Sequence, residues 1–95
     1  MITLTAVIRC KAGSEELTQE ALLKVAVYAR DNEPGTAAYF VSCGDDAGIF
    51  VTHERYLDRP SLDAHNQGPG ASAFFATTEG HIESVEVYIG LEVFP

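Results

Sequence analysis

The 95-residue chain has no tryptophan, and basic residues are scarce: six Lys and Arg stand against fourteen Asp and Glu, for a formal charge of −8. Without a basic stripe to neutralise phosphates, nucleic acid is a poor partner, and anionic membrane surfaces are disfavoured for the same reason. The acidity makes neutral or cationic small molecules easier guests than phosphorylated ones. Cys10 and Cys43 are the only cysteines. They are too few for a disulfide framework, lack a CxxC spacing, and read as free thiols of a reducing compartment. The opening MITLTAVIRC has neither the basic start nor the unbroken apolar run of a signal peptide. No stretch approaches membrane-spanning length, so the expected address is the cytoplasm.

What is present is ordinary globular composition, 46% hydrophobic and 21% charged, enough for one domain over residues 1–95. ITLTAVIRC alternates, with Leu4, Ala6 and Ile8 on one face and Thr3, Thr5, Val7 and Arg9 on the other, as a strand does. Ser14 can cap a helix whose first turn carries Glu15 and Glu16. Leu17, Ala21, Leu22, Val25 and Ala29 then recur at helical spacing to about Arg30. Pro34 pushes Glu33 out of the helical region, and Pro34-Gly35 suits the centre of a type II turn.

TAAYFVSC and IFVTHERY read as a hairpin joined through GDDAG. Asp58 can cap the next helix, with Pro60 in its first turn. QGPG interrupts that helix after Gln67, and the spacing resumes it at ASAFFATTE with Ala71, Phe74, Phe75 and Thr78 along one side. IESVEVYIGLEV forms a last strand with Val85, Val87, Ile89, Leu91 and Val93 on one face.

This order is β-α-β-β-α-β with a split second helix: an α+β, ferredoxin-like arrangement that packs two helices on one face of a four-stranded antiparallel sheet. Apolar residues occur on both sheet faces, Phe40 and Ala38 opposite Tyr39 and Val41. The uncovered face therefore calls for a partner, most simply the same face of a second copy, which predicts a homodimer.

Side chains alternate along the third strand, so Glu54 and Tyr56 share a face while His53 looks the other way. The following helix can bring His65 over Glu54. A carboxylate–imidazole bond would fix the tautomer of a base suited to neutral pH. Glu54 anchoring the helix, with His65 merely at a pocket rim, is the open alternative. Tyr39 is either core or a substrate contact. Adjacent Phe74 and Phe75 cannot both face inward: one lines the core or pocket, and the other is partly exposed. No i, i+4 histidine pair or HxxE spacing supports a metal. Gly68-Pro69-Gly70 lacks the lysine of a phosphate cradle and reads as a flap or an ordinary turn.

NEPGTAAY, HERYLD and LDAH together resemble the antibiotic biosynthesis monooxygenase family, whose members show E-P-G-x-x-x-Y, E-x-Y and a following A-x-x-x-H or A-H. Here these fall on Glu33, Pro34, Gly35 and Tyr39, on Glu54 and Tyr56, and on Ala64 and His65. The resemblance implies a dimeric α+β barrel with a pocket between sheet and helices. Some relatives oxidise phenols or quinols with O₂ and neither metal nor flavin. It further implies His65 as base or orienting donor, Glu54 as its support, and Tyr39, Tyr56 and Phe74 as contacts to a small aromatic substrate. Where many relatives continue S-P-H, this chain has Gly68-Pro69-Gly70. With no tryptophan and no asparagine in the first strand, it is a poor match for haem-degrading relatives.

The expected function is a monooxygenase acting on a phenol- or quinol-type molecule without cofactor. A non-catalytic binding protein and an isomerase-type proton-transfer enzyme on the same fold are the alternatives.

Overall fold

The computed structural model describes residues 1–95. Its elements follow the order β1 (Ile2–Cys10), α1 (Glu15–Asn32), β2 (Thr36–Cys43), β3 (Ile49–Tyr56), α2 (Arg59–Gln67), α3 (Pro69–Thr78) and β4 (Ile82–Leu91). The four strands form one antiparallel sheet in the order β2-β3-β1-β4. This is the ferredoxin-like α+β arrangement, with its second helix split into α2 and α3. No helix is long and apolar enough to cross a membrane.

Alternation in the strands decides what is buried. Leu4, Ala6 and Ile8 of β1 and Phe50 and Tyr56 of β3 point to the helices, where Ala21, Leu22 and Val25 of α1, Leu62 of α2 and Phe74 of α3 meet them. Leu22 and Leu62 are essentially inaccessible, and burying each contributes about 2 kcal/mol. Cys10 is a buried free thiol and Cys43 an exposed one.

Local signals decide where the helices begin and end. Ser14 occupies the N-cap position of α1, but its hydroxyl makes no capping bond. It pairs instead with His81 Nδ1 at 2.9 Å, tying the start of α1 to the start of β4. Asp58 does cap α2: its carboxylate accepts from the Ser61 backbone N–H at 2.9 Å and from the Ser61 hydroxyl at 2.6 Å. Helix α2 ends at Gln67 and α3 begins at Pro69, so a single residue, Gly68, joins them. Pro69 has no N–H to continue the ladder, and the chain turns there without forming a flap. Gly70 lies inside α3, where a Cβ would stand 2.9 Å from the Tyr28 ring, so α3 closes tightly on α1. Along α3, Ala71, Phe74 and Thr78 are buried, whereas Phe75 projects outward, 62% exposed, and leaves the row in which its spacing placed it.

The turn after α1 also departs from expectation. Glu33 leaves helical geometry, and the Thr36 N–H closes onto the Glu33 carbonyl at 3.1 Å. Gly35, however, does not have the positive φ that a type II turn requires. Its lack of a side chain serves contact: a Cβ would lie 2.2 Å from Ser61 Oγ.

At the other end of the sheet, β4 stops at Leu91, short of Val93. The register pairs Ile8 with Val85, Ala6 with Val87 and Leu4 with Ile89, so this row shares the helix-bearing face. Yet Val85, Val87 and Ile89 are 43%, 50% and 47% exposed, because the helices pack toward β2 and β3. The opposite face is mixed. It carries Phe40 stacked on His53 at 4.6 Å and a two-bond pair between Arg55 and Glu92 at 2.7 and 3.0 Å. The longest uncovered apolar row therefore lies on the helix side of β4, not on the face that the alternation of β2 and β3 singled out.

Candidate functional site

Between the sheet and the helices lies a cavity of about 150 Å³. Leu4, Ala6, Leu22 and Phe74 belong to its apolar wall, and Tyr39, Thr52, Glu54, His65 and Asn66 supply the polar groups. Phe75, Val85 and Val87 stand at the margin where the helix cover ends. No Lys or Arg lines it.

The polar groups come from three elements. Thr52, Glu54 and Tyr56 occupy alternate positions of β3 and therefore share its inner face. Both oxygens of the buried Glu54 carboxylate accept from these neighbours on its own strand: Oε2 from the Thr52 hydroxyl at 2.6 Å, and Oε1 from the Tyr56 hydroxyl. Tyr39 arrives from β2, directly opposite Glu54 in the register. His65 arrives from the last turn of α2 and is buried, its ring 5.4 Å from the rings of both Tyr39 and Tyr56.

The imidazole lies between two carboxylates. Its Nδ1 is 2.7 Å from Glu33 Oε1, and its Nε2 is 3.8 Å from Glu54 Oε1. The first distance is a strong charge-assisted hydrogen bond and the second is outside bonding range. Thr36 donates its hydroxyl to the same Glu33 oxygen at 2.8 Å, while Glu33 Oε2 is buried without a partner in the chain. The expected Glu54–His65 bond is thus replaced by a Glu33–His65 bond, with Glu54 on the far side of the ring.

The two tyrosines behave differently. Burial, and then the charges of Glu54 and Glu33, push the Tyr39 phenol above its ordinary value, so it keeps its proton. Its hydroxyl makes no hydrogen bond within the chain, and it lines the cavity as a free donor. Burial followed by the Glu54 charge and hydrogen bond raises Tyr56 still further. Tyr56 is fully buried below the cavity and does not line it. This corrects its expected place among the substrate contacts: its hydroxyl is committed to Glu54. Phe74 does line the cavity and is buried.

The remaining histidines lie elsewhere. His53 is on the opposite sheet face, 3.3 Å from the Ser42 hydroxyl, and His81 pairs with Ser14. No group of three or more His, Cys, Asp or Glu side chains is placed to hold a metal ion. Glu33 is the site residue that spacing did not single out for a role. Its signals were its position, a carboxylate just past a helix end, and its place at the head of the NEPGTAAY stretch.

The family described as antibiotic biosynthesis monooxygenase matches residues 1–77, from β1 through nearly all of α3. Among solved structures, a protein of Nitrosomonas europaea described as a candidate antibiotic biosynthesis monooxygenase superposes with a TM-score of 0.92. It is 21% identical over 99% of this chain and 100% of its own. A protein of Pseudomonas aeruginosa gives 0.90 at 21% identity over 98% and 94%, and one of Mycobacterium tuberculosis gives 0.90 at 21% over 99% and 96%. At such identities the likeness speaks for the fold alone. Comparison with curated proteins gives no match.

Proposed function

This chain belongs to the antibiotic biosynthesis monooxygenase family, and on that premise we propose that it oxidises a small phenol- or quinol-type aromatic with O₂, without a cofactor. The observation that carries the proposal is the buried imidazole of His65 on the wall of a mostly apolar cavity. An apolar cavity of about 150 Å³ accommodates a benzene ring. The Glu54 carboxylate on the wall, with no Lys or Arg beside it, favours an uncharged guest over an anionic one.

In this reading a hydroquinone enters neutral, and His65 accepts a hydroxyl proton at Nε2. The apolar wall strips water from the resulting phenolate and holds it against O₂. The substrate supplies all four electrons: hydroquinone and O₂ give a hydroxyquinone and water, one oxygen atom entering the ring and the other leaving as water. Tyr39, with a proton to donate and no partner, orients the substrate oxygen, and Phe74 packs on the ring. Glu54, held by Thr52 and Tyr56, keeps a fixed negative charge opposite the imidazolium that forms.

Oxygen uptake with a panel of hydroquinones and polyphenols tests this. Faster uptake by the wild type, lost in His65→Ala, supports it. Uptake at the uncatalysed rate across the panel sinks it, and exchange of substrate protons with solvent would then point to proton-transfer chemistry alone.

The protein acts as a homodimer in this proposal. A second copy would cover the apolar side chains left open at the cavity margin and along β4. Light scattering at micromolar concentration should give about twice the chain mass; the mass of one chain would remove this part.

A further inference from the structure

We infer that the Glu33-Pro34-Gly35 turn is the second half of the acid–base site: Glu33, rather than Glu54, is the positioning residue that sets the tautomer of His65. This rests on the proposed role of His65 as a base, but its structural content stands independently of any substrate.

The two carboxylates beside the ring are not equivalent. Both oxygens of Glu54 are already claimed by hydroxyls of its own strand, Thr52 and Tyr56, and its nearer oxygen is 3.8 Å from His65 Nε2. Glu33 has the converse arrangement. Its Oε1 receives only the Thr36 hydroxyl and His65 Nδ1, the latter at 2.7 Å, and its Oε2 has no partner in the chain. With the Nδ1 proton directed at Glu33, the ring presents Nε2 unprotonated toward Glu54 and the cavity. The groups facing the ring are therefore Glu33 from the end of α1, Glu54 and Tyr56 from β3, and Tyr39 from β2, and no basic side chain is bonded to it.

Each residue of the turn contributes to that contact. Pro34 ends helical geometry, so Glu33 sits one residue beyond α1 and its side chain is free to reach α2. Gly35 lets the turn press on the first turn of α2, where a Cβ would meet Ser61 Oγ at 2.2 Å and Ser61 Cβ at 2.5 Å. The Leu57 N–H donates to the Gly35 carbonyl at 3.0 Å and fixes the same approach from the strand side. One helical turn beyond Ser61, on the same side of α2, is His65. Seating Gly35 on Ser61 thus sets the height of His65 opposite Glu33, across 32 residues of sequence.

The test is ¹⁵N NMR of the His65 ring through a pH titration of the folded protein. The neutral ring should carry its proton on Nδ1 in the wild type and in Glu54→Gln, and lose that fixed tautomer in Glu33→Ala. Gly35→Ala should reproduce the Glu33→Ala spectrum. Should that variant not fold, Gly35→Ala with Ser61→Gly removes the colliding atoms and should restore the wild-type tautomer. An unchanged ring in Glu33→Ala, or a tautomer lost only in Glu54→Gln, would overturn the inference. If the wild type takes up oxygen, Glu33→Ala should lower kcat by on the order of 100-fold with little change in KM. If it takes up none, the functional reading fails while the spectra still decide this one.

Discussion

The two ends of the sheet are built by opposite departures from the usual rule. Near β2 and β3, polar side chains are buried: Thr52, Glu54 and Tyr56 lie under the helices, and His65 is buried on α2 itself. At β4, apolar side chains on the same face lie in the open: Val85, Val87 and Ile89 are about half exposed. A buried polar group and an exposed apolar patch are the two informative exceptions to core-inside, polar-outside patterning. Here one cause links them. The helix layer sits off-centre over the sheet, so it seals the reactive groups from water at one end and leaves the cavity margin uncovered at the other.

Removing a carboxylate from the polar end should have the largest effect on stability. Glu54→Ala leaves the Thr52 and Tyr56 hydroxyls without their acceptor, and each orphaned buried group costs about 1–3 kcal/mol. Urea unfolding should show a loss of about 3 kcal/mol, and a loss below about 0.5 kcal/mol would mean that this end tolerates open polar groups as β4 tolerates open apolar ones.

Alkali should act on the same end more gently. The folded-state pKa values of Tyr39 and Tyr56 are raised, so their contribution is present below the ordinary phenol value of about 10 and lost as pH climbs past it. Each such tyrosine weakens the fold by up to about 1.4 kcal/mol per pH unit in that range. Tyr56→Phe should flatten the decline seen in thermal melts above pH 10.

The apolar end should respond least within a single chain. Ile89→Thr should change the stability of an isolated chain by within about 0.5 kcal/mol, as an exposed site does. If a second copy covers β4, the same substitution should lower the mass measured by light scattering at micromolar concentration. A large change in the stability of one chain would show instead that β4 is packed from within.

Much of this contrast was legible in the sequence. Strict alternation put Leu4, Ala6 and Ile8 on one face of ITLTAVIRC and Glu54 and Tyr56 on one face of IFVTHERY, because a period of two leaves no other choice within a strand. The split of the second helix followed from Gly68 and Pro69. That Glu33 would be the carboxylate touching His65 was not legible, because neither propensity nor period says which loop will settle on a helix's first turn. Gly35 was read as a source of positive φ, when its use is the absence of a side chain beside Ser61. The openness of β4 was hidden for a related reason. Val85, Val87 and Ile89 carry the pattern of a covered strand, and the pattern does not say how far the cover reaches.

The pairing of β4 with β1 has a kinetic consequence. β1 lies inside the sheet, yet one of its two neighbours is the last strand of the chain, and the Glu92 N–H donates to the Met1 carbonyl at 2.9 Å. Until that closure forms, the central strand has one bare edge, and the slow step of folding should be this longest-range contact in the molecule. Because the two ends meet there, a short linker from the end of β4 to the start of β1, with new termini cut in the exposed loop at Asp45–Asp46, would turn the closure into a hairpin. Such a circular permutant should fold faster than the natural order while keeping the same sheet.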